Sequence, residues 1–557
     1  MNRFKWIILI ISIVLMAGIL VNCDFNKISN PADDLEIRVK NIARETFVSV
    51  EIIDAKTKEQ VSVPVEVEIR GDDMGLVINE VNEPTTFFTV ENGILLFAIA
   101  DGIVPTQENP IKLNILLLAD NYINTSQPVL VSDTGMNTFS ATMTNVNNTP
   151  DGVSHNQENV GNVDANDGMP QATEVQSGAD NVDGGGAGIK IEGGTKLKDA
   201  DGNALSGSVE VAVTYFNPKS EDSRSAFPGG FSVELDNGDA GYFETAGFVA
   251  VDMTVNGTEV EQFDGNVEID IDIPEGTMNP VTGQPVKAGD VVPIYSYDED
   301  NGIWHYEGDV TVPGGDGISK SAGGHTVTID NVKHLSYWNL DWFGDNSCYY
   351  GATLNFVSTN GAFDQVLVRI YDAATGEMVT WWSAANVYSS DPSMHLYQVP
   401  GNKPVIVKVF SQYTEEEIGS LQIDDLCTDE EYTVEFADIS LITVTVNVQV
   451  KCDGTAVIPN GIPIYAMKYD SWSWQNLGQV GNGEVSGTFV PNEYYDFAFL
   501  FDGEWHYTKN YADDIVKYAQ ENGINMVKNS DGYLQMDENN LDISIFFNDV
   551  DEICESF

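Results

Sequence analysis

Short runs of alternating or β-branched residues recur from about residue 47 to residue 547, each closed off by turn-forming residues. That pattern leaves room for little besides β-structure. Residues 47–53, 61–69, 95–99 and 113–118 form one group of predicted strands. A second is 209–215, 247–255, 267–273, 291–297 and 325–329, punctuated by Asp201-Gly202, Asn237-Gly238 and Asn301-Gly302. Residues 365–371, 405–410 and 432–436 form a third, with an Ala374-Thr375-Gly376 turn, and 442–450, 462–469, 484–489, 495–501 and 543–547 a fourth. In 267–273 the isoleucines Ile269, Ile271 and Ile273 share one face, and Glu268, Asp270 and Asp272 share the other, which reads as solvated. One helix is predicted, residues 512–521, with Asp513 and Asp514 in its first turn and Gly523 beyond its end. At 557 residues the chain exceeds what one core can organise. The expectation is an all-β protein of tandem β-sandwich domains, Ig-like or transthyretin-like, with one short helix near the C-terminus.

The chain starts with a polar and basic stretch, Asn2, Arg3 and Lys5, then an apolar run from Trp6 to Val21 that ends at Cys23. That layout is a secretory leader, its apolar run shorter than the roughly 20 residues that span a bilayer. Leu20-Val21-Asn22-Cys23 resembles the lipobox of bacterial lipoproteins, with Asn22 where small residues are usual. The resemblance implies a signal peptide over 1–23 and a lipid on Cys23. Residues 24–34 then read as a polar tether.

Residues 35–144 contain VSVEIIDAKTKEQVSVPVEVEIRG and later ILLLADNYI. The order is similar to the carboxypeptidase regulatory-like, transthyretin-type domain, with Asn121 standing for Gly in its A-x-G-Y turn. Residues 145–187 have no Lys or Arg and few large apolar groups, so a disordered acidic linker is expected there, with independently moving domains on either side. Residues 188–343 carry GYFETAGFVAVDMTVNG, IDIDIPEG, VVPIYSYDEDNGIWHYEG and HLSYWNLDW. That succession is similar to the extracellular β domain of cartilage intermediate layer protein and its bacterial look-alikes. Two further sandwiches, 344–439 and 440–557, complete the division, the second holding the helix. Both family resemblances imply structural or binding modules rather than active sites.

Acidic residues outnumber basic ones 86 to 26, for a formal net charge of -60. Such a surface repels phosphate backbones, which excludes nucleic acid as a partner. Calcium is the natural counter-ion and a solubilising coat the plainer reading. Asp199-x-Asp201-x-Asn203, with Glu210 at the twelfth position, follows a calcium loop superficially, but Ala204 stands where the turn needs Gly, so an Asp-Gly hairpin is preferred. Apart from Cys23 there are four cysteines, which allow three pairings; their bracketing of the last two domains favours Cys348–Cys427 and Cys452–Cys554.

No two of the six histidines have metal-ligand spacing, and neither a phosphate-cradling loop nor a G-x-S-x-G elbow is present. His334-Leu335-Ser336 resembles the H-x-S motif of autoproteolytic adaptor and adhesion-receptor domains. That resemblance implies His334 as base, Ser336 as nucleophile and cleavage after Leu335; Tyr337 and Trp338 suffice to explain the segment as core, which is the preferred reading. Trp472 and Trp474 share a strand face that fits either a sugar-stacking platform or core packing, with Trp505 and the Trp381-Trp382 pair as further aromatic candidates.

The functional expectation is a lipid-anchored outer-membrane protein of a bacterial envelope, exposed at the surface. It would act as a non-catalytic binding, adhesion or spacer scaffold for a glycan or protein ligand, without a cofactor. The alternative is the same scaffold cut between Leu335 and Ser336, and the third reading an enzyme acting on polysaccharide.

Overall fold

The computed structural model describes residues 45–548 and the strand Ile37–Arg38, with short internal interruptions of which 315–323 and 374–384 are the longest. The described chain is all-β, with the helix Ala512–Glu521 near its end.

Three of its domains are built to one plan. The first uses the seven strands Thr46–Asp54, Val65–Arg70, Phe87–Val90, Ile94–Ile99, Ile111–Ala119, Thr125–Val131 and Gly135–Met143. Its fourth, first and seventh strands make one sheet, edged by the two-residue strand Val77–Ile78, its third, second, fifth and sixth the other, and the seventh runs parallel to the first. The same order and the same parallel pair recur in the third domain, Ser347–Ser358 to Glu431–Phe436. They recur again in the fourth, Ile442–Cys452 to Asp542–Asn548, where the helix is an insertion between the sixth and seventh strands. Alternation builds each core. In Val65–Arg70, Val65, Val67 and Ile69 are buried while Glu66, Glu68 and Arg70 face outward, and Val405–Ser411 repeats the pattern. The Ala119–Tyr122 turn closes as its sequence implies: Asn121 takes φ +65°, a left-handed conformation that Asn tolerates, and Tyr122 donates from its hydroxyl to Asp54 Oδ2 at 2.8 Å.

The second domain differs. Its eight-stranded sheet has the central order Val153–Val163, Gly207–Phe216, Ala240–Val255, Tyr337–Gly344, Val291–Asp298 and Ile303–Thr311. A four-stranded sheet of Thr173–Gln176, Ala187–Ile191, Val267–Ile273 and His325–Ile329 covers one face over an aliphatic core. The other face carries a largely aromatic core of Phe216, Phe227, Phe248, Tyr297 and Trp304, to which the first domain contributes Ala55 and Ile123.

This corrects the expected disordered linker at 145–187, which contains the strands Val153–Val163 and Thr173–Gln176. The polar strand Val153–Val163 is held by main-chain pairing along Gly207–Phe216, so its composition understates its order. Its ends, with Met169 and Val175, are still buried.

The domains are not strung out. The first packs on the second through the aromatic core, and the second meets the third through Lys403, which lies 3.0 Å from Glu244 and 2.8 Å from Asp372, and through an Arg369–Glu221 ion pair. Ser389 and Thr488 hydroxyls link the third to the fourth at 3.2 Å. The fourth returns to the first through a buried aromatic cluster, and Ile37–Arg38 pairs with Val457 and Ile458 of the fourth. The expectation of independently moving domains is therefore also corrected. No helix among the described residues is long and apolar enough to cross a membrane.

Candidate functional site: the seams around the first domain

Cys23, Trp381, Trp382, Trp472 and Cys554 lie outside the described residues, as does the side chain of Cys348. Cys427 and Cys452 are each disulfide-bonded. Cys427 Sγ lies 3.9 Å from the carbonyl oxygen of Val399, the residue paired with Cys348 across the sheet.

Asp199, Asp201 and Asn203 form a tight hairpin. Asn203 donates its backbone N–H to Asp199 Oδ1 at 2.8 Å and its amide to Oδ2 at 3.2 Å, Gly202 takes φ +79°, and Lys198 bridges to Ala204. Those hydrogen bonds hold the Asp199 carboxyl below its usual range. Both carboxylate oxygens that a calcium loop would turn toward an ion are thus accepting from the turn. Among the described residues no group of three or more His, Cys, Asp or Glu side chains is placed to hold a metal.

His334 and Ser336 are close in sequence but bonded elsewhere. His334 Nε2 lies 3.5 Å from Glu307 Oε1, and its ring stacks on Trp338 at 5.2 Å. His334 and Ser296 together pull the Glu307 carboxyl below its usual range despite its partial burial. Ser336 donates its hydroxyl to the carbonyl of Tyr297 on the adjoining strand. A nucleophilic serine would instead give that proton to the base beside it. Tyr337 and Trp338 are buried, one in each of the domain's two cores.

Trp474 is not an open platform. Only 5% exposed, it stacks on Trp505 at 5.9 Å and packs with Tyr465, Tyr507 and, from the first domain, Ile94. Gln60 of the first domain clamps its backbone, accepting from Trp474 N–H at 2.9 Å and donating to its carbonyl at 3.3 Å. Ser49 and Tyr465 share a hydroxyl contact at 3.3 Å, and Asn92 donates to Tyr507 at 2.8 Å. Packing governs this face because the outer surfaces of two sheets meet here.

The seam with the second domain has a different chemistry. The Ser126 and Tyr297 hydroxyls meet at 2.8 Å, Tyr337 donates to the Asn124 carbonyl at 2.8 Å, and Asn114 donates to the Glu299 carbonyl at 2.6 Å. Lys56–Asp151 at 3.2 Å and Lys58–Asp222 at 2.8 Å lie along its rim. A cavity of about 10 Å³ beside Ser126, Gln127 and Phe227 has room for roughly one water, far below the several hundred Å³ of ordinary ligand pockets.

Two buried polar features escaped the sequence reading. Asp272, expected on a solvated face, is covered: it accepts from Gly186 N–H at 3.0 Å and Thr326 at 2.6 Å beneath the 178–186 loop. Asn339 and Asp341 are fully buried on the central strand Tyr337–Gly344, facing the aromatic core, and burial pushes the Asp341 carboxyl well above its usual range. Period-two alternation with Tyr337 and Phe343 was the available signal.

No protein-family model matches the chain, and no curated protein matches it. Among solved structures it is similar to the full-length major pilin SpaD of Corynebacterium diphtheriae, at 9% identity over 91% of this chain and 97% of that one, with a TM-score of 0.15. BcpA, the major pilin subunit of Bacillus cereus, matches at 7% identity over 91% and 99% of the two chains, TM-score 0.13. RrgB, the major pilin of Streptococcus pneumoniae, matches at 9% over 90% and 99%, TM-score 0.12. TM-scores of this size carry no inference, and the fold stands on the strand pairings above.

Proposed function

We propose that the chain is a non-catalytic scaffold of a bacterial outer surface, tethered by a lipid on Cys23 and binding or spacing other envelope components as one closed four-domain body. The observation that carries this reading is the use to which its reactive-looking residues are put. Ser336 bonds a neighbouring strand, His334 holds Glu307, and Trp474 is sealed beneath another domain. Side chains spent on joining elements leave no assembled nucleophile or acid–base pair among these candidates. The leader and lipobox-like residues support export and anchoring, and the charge of -60 supports a solvated surface free of nucleic acid.

Within that reading the disulfides pair Cys348 with Cys427 and Cys452 with Cys554, which the nearness of Cys427 to Val399 supports for the first. Non-reducing peptide maps that joined Cys427 to Cys452 would remove this pairing.

The discriminating experiment is the denatured, reduced mass of residues 24–557 with Ser336 and with Ser336→Ala. A non-catalytic scaffold gives one full-length mass for both. Two fragments meeting at Leu335 and Ser336, absent from the variant, would establish self-cleavage and overturn the proposal. On whole cells, loss of membrane retention in Cys23→Ser tests the anchor separately.

A further inference from the structure

One short segment of the second domain reaches both of its neighbours. Residues 217–227 leave the sheet after Gly207–Phe216 and form the helix Glu221–Arg224. Its first two residues bond in opposite directions. Glu221 pairs with Arg369 of the third domain and accepts from the Tyr371 hydroxyl at 3.5 Å, while Asp222 pairs with Lys58 of the first domain at 2.8 Å. Successive helical side chains point about 100° apart, so a single turn can serve two partners. Ser225, directly after the helix, also accepts from Lys58 at 3.4 Å. With Phe227 it lines the one-water cavity against Thr125, Ser126 and Ala141 of the first domain. Phe227 then enters the aromatic core, stacked on Trp304 at 5.1 Å and edge-on to Phe248 at 4.7 Å, in the cluster that holds Ala55 and Ile123.

Ser220 fixes the start of the segment from within its own domain. It caps the helix, accepting from Ser223 N–H at 3.4 Å, and donates its hydroxyl to the Asp151 carbonyl. Arg224 ties the other end back to the Pro218 carbonyl at 2.8 Å. Ser220, Ser223, Ala226 and Phe227 are buried, and a turn packed this closely shifts as a unit rather than residue by residue. We propose that this segment is a shared fastener: displacing it releases the first and third domains together, so that loosening at the third-domain contact is felt at the first-domain seam. A second route joins the same two domains, since Ala385–Tyr388 of the third runs beside Gly135–Met143 of the first. The two routes reach different parts of the first domain. The fastener reaches the turn at Lys56 and Lys58 and the strand Thr125–Val131, whereas the direct route reaches Gly135–Met143.

Hydrogen–deuterium exchange on the whole ectodomain, residues 24–557, separates the routes. Glu221→Gln and Arg369→Met break the same ion pair from opposite sides, the first without altering the third domain. Each should speed exchange of the amides in 365–372, and also of those in 54–58 and 125–131, by about fivefold or more, the lower end of coupling between linked sites. Amides in 474–479, on the fourth-domain seam, should not change. Ser220→Ala leaves Glu221, Arg369 and Lys58 in place, and should speed exchange in 365–372 and 125–131 together. A response limited to 365–372 in both ion-pair variants overturns the fastener. So does a first-domain response confined to 135–139, which assigns the coupling to the direct contact. A Ser220→Ala protein loosened on one side only, or on neither, overturns it as well.

Discussion

The first domain is held on two sides by opposite means. Toward the fourth domain it presents Ile94 and the amide of Gln60, and receives Trp474, Tyr465 and Tyr507. Toward the second it presents Asn114 and Ser126, and receives the Glu299 carbonyl and the Tyr297 hydroxyl. The second domain follows directly in the chain, so its effective concentration is high and modest bonds suffice. The fourth begins about 300 residues further on, and closing so long a connection costs more chain entropy. The distant contact is accordingly centred on stacked rings, and the neighbouring contact sets amide and hydroxyl bonds beside the second domain's aromatic core.

Trp474→Ala should break this comparison hardest. Removing a buried indole from the distant seam should cost about 3–5 kcal/mol and detach the fourth domain from the first. Denaturant unfolding followed by tryptophan emission would detect it as a new early transition. A single, unshifted transition would mean that the aromatic cluster does not hold the seam.

Gln60→Ala leaves both backbone groups of Trp474 unpartnered while sparing the rings, for an expected loss of about 1–3 kcal/mol by the same measurement. Stability equal to the parent would reduce the clamp to an accessory of the packing. Tyr297→Phe sharpens the other side. It deletes the hydroxyl shared with Ser126, should cost about 1 kcal/mol, and should leave the Trp474 seam untouched. Smallest is Lys58→Met at the exposed rim, expected within about 0.5 kcal/mol and vanishing at high salt. A larger effect there would contradict the assignment of the near seam to its hydroxyl bonds.

The fold class was legible because strands write themselves as alternation. Residues 267–273, 325–329 and 484–489 are strands over the expected spans, and the helix occupies 512–521 as its acidic first turn and trailing Gly523 imply. Asn121 reads as a turn residue because few side chains accept its left-handed φ. The strand Val153–Val163 was illegible because main-chain pairing, not side-chain burial, holds most of it. Asp272 looked solvated because alternation gives a face but not what covers it; here a loop does. The seams were hidden for a related reason. Trp474 shows in the sequence as an aromatic on one strand face, and only Gln60, more than 400 positions away, decides between platform and packing. The shared plan of three domains was likewise out of reach, since it resides in strand order rather than in matching residues.

The claim that joins these observations is closure: four domains returning on themselves rather than extending from a tether. Small-angle X-ray scattering of the monomeric ectodomain measures it most directly. A closed body of this length gives a radius of gyration of about 24 Å, raised slightly by its end segments. A value above about 35 Å, as four compact domains laid end to end would give, contradicts closure and with it the assignment of Trp474 and Gln60 to a seam.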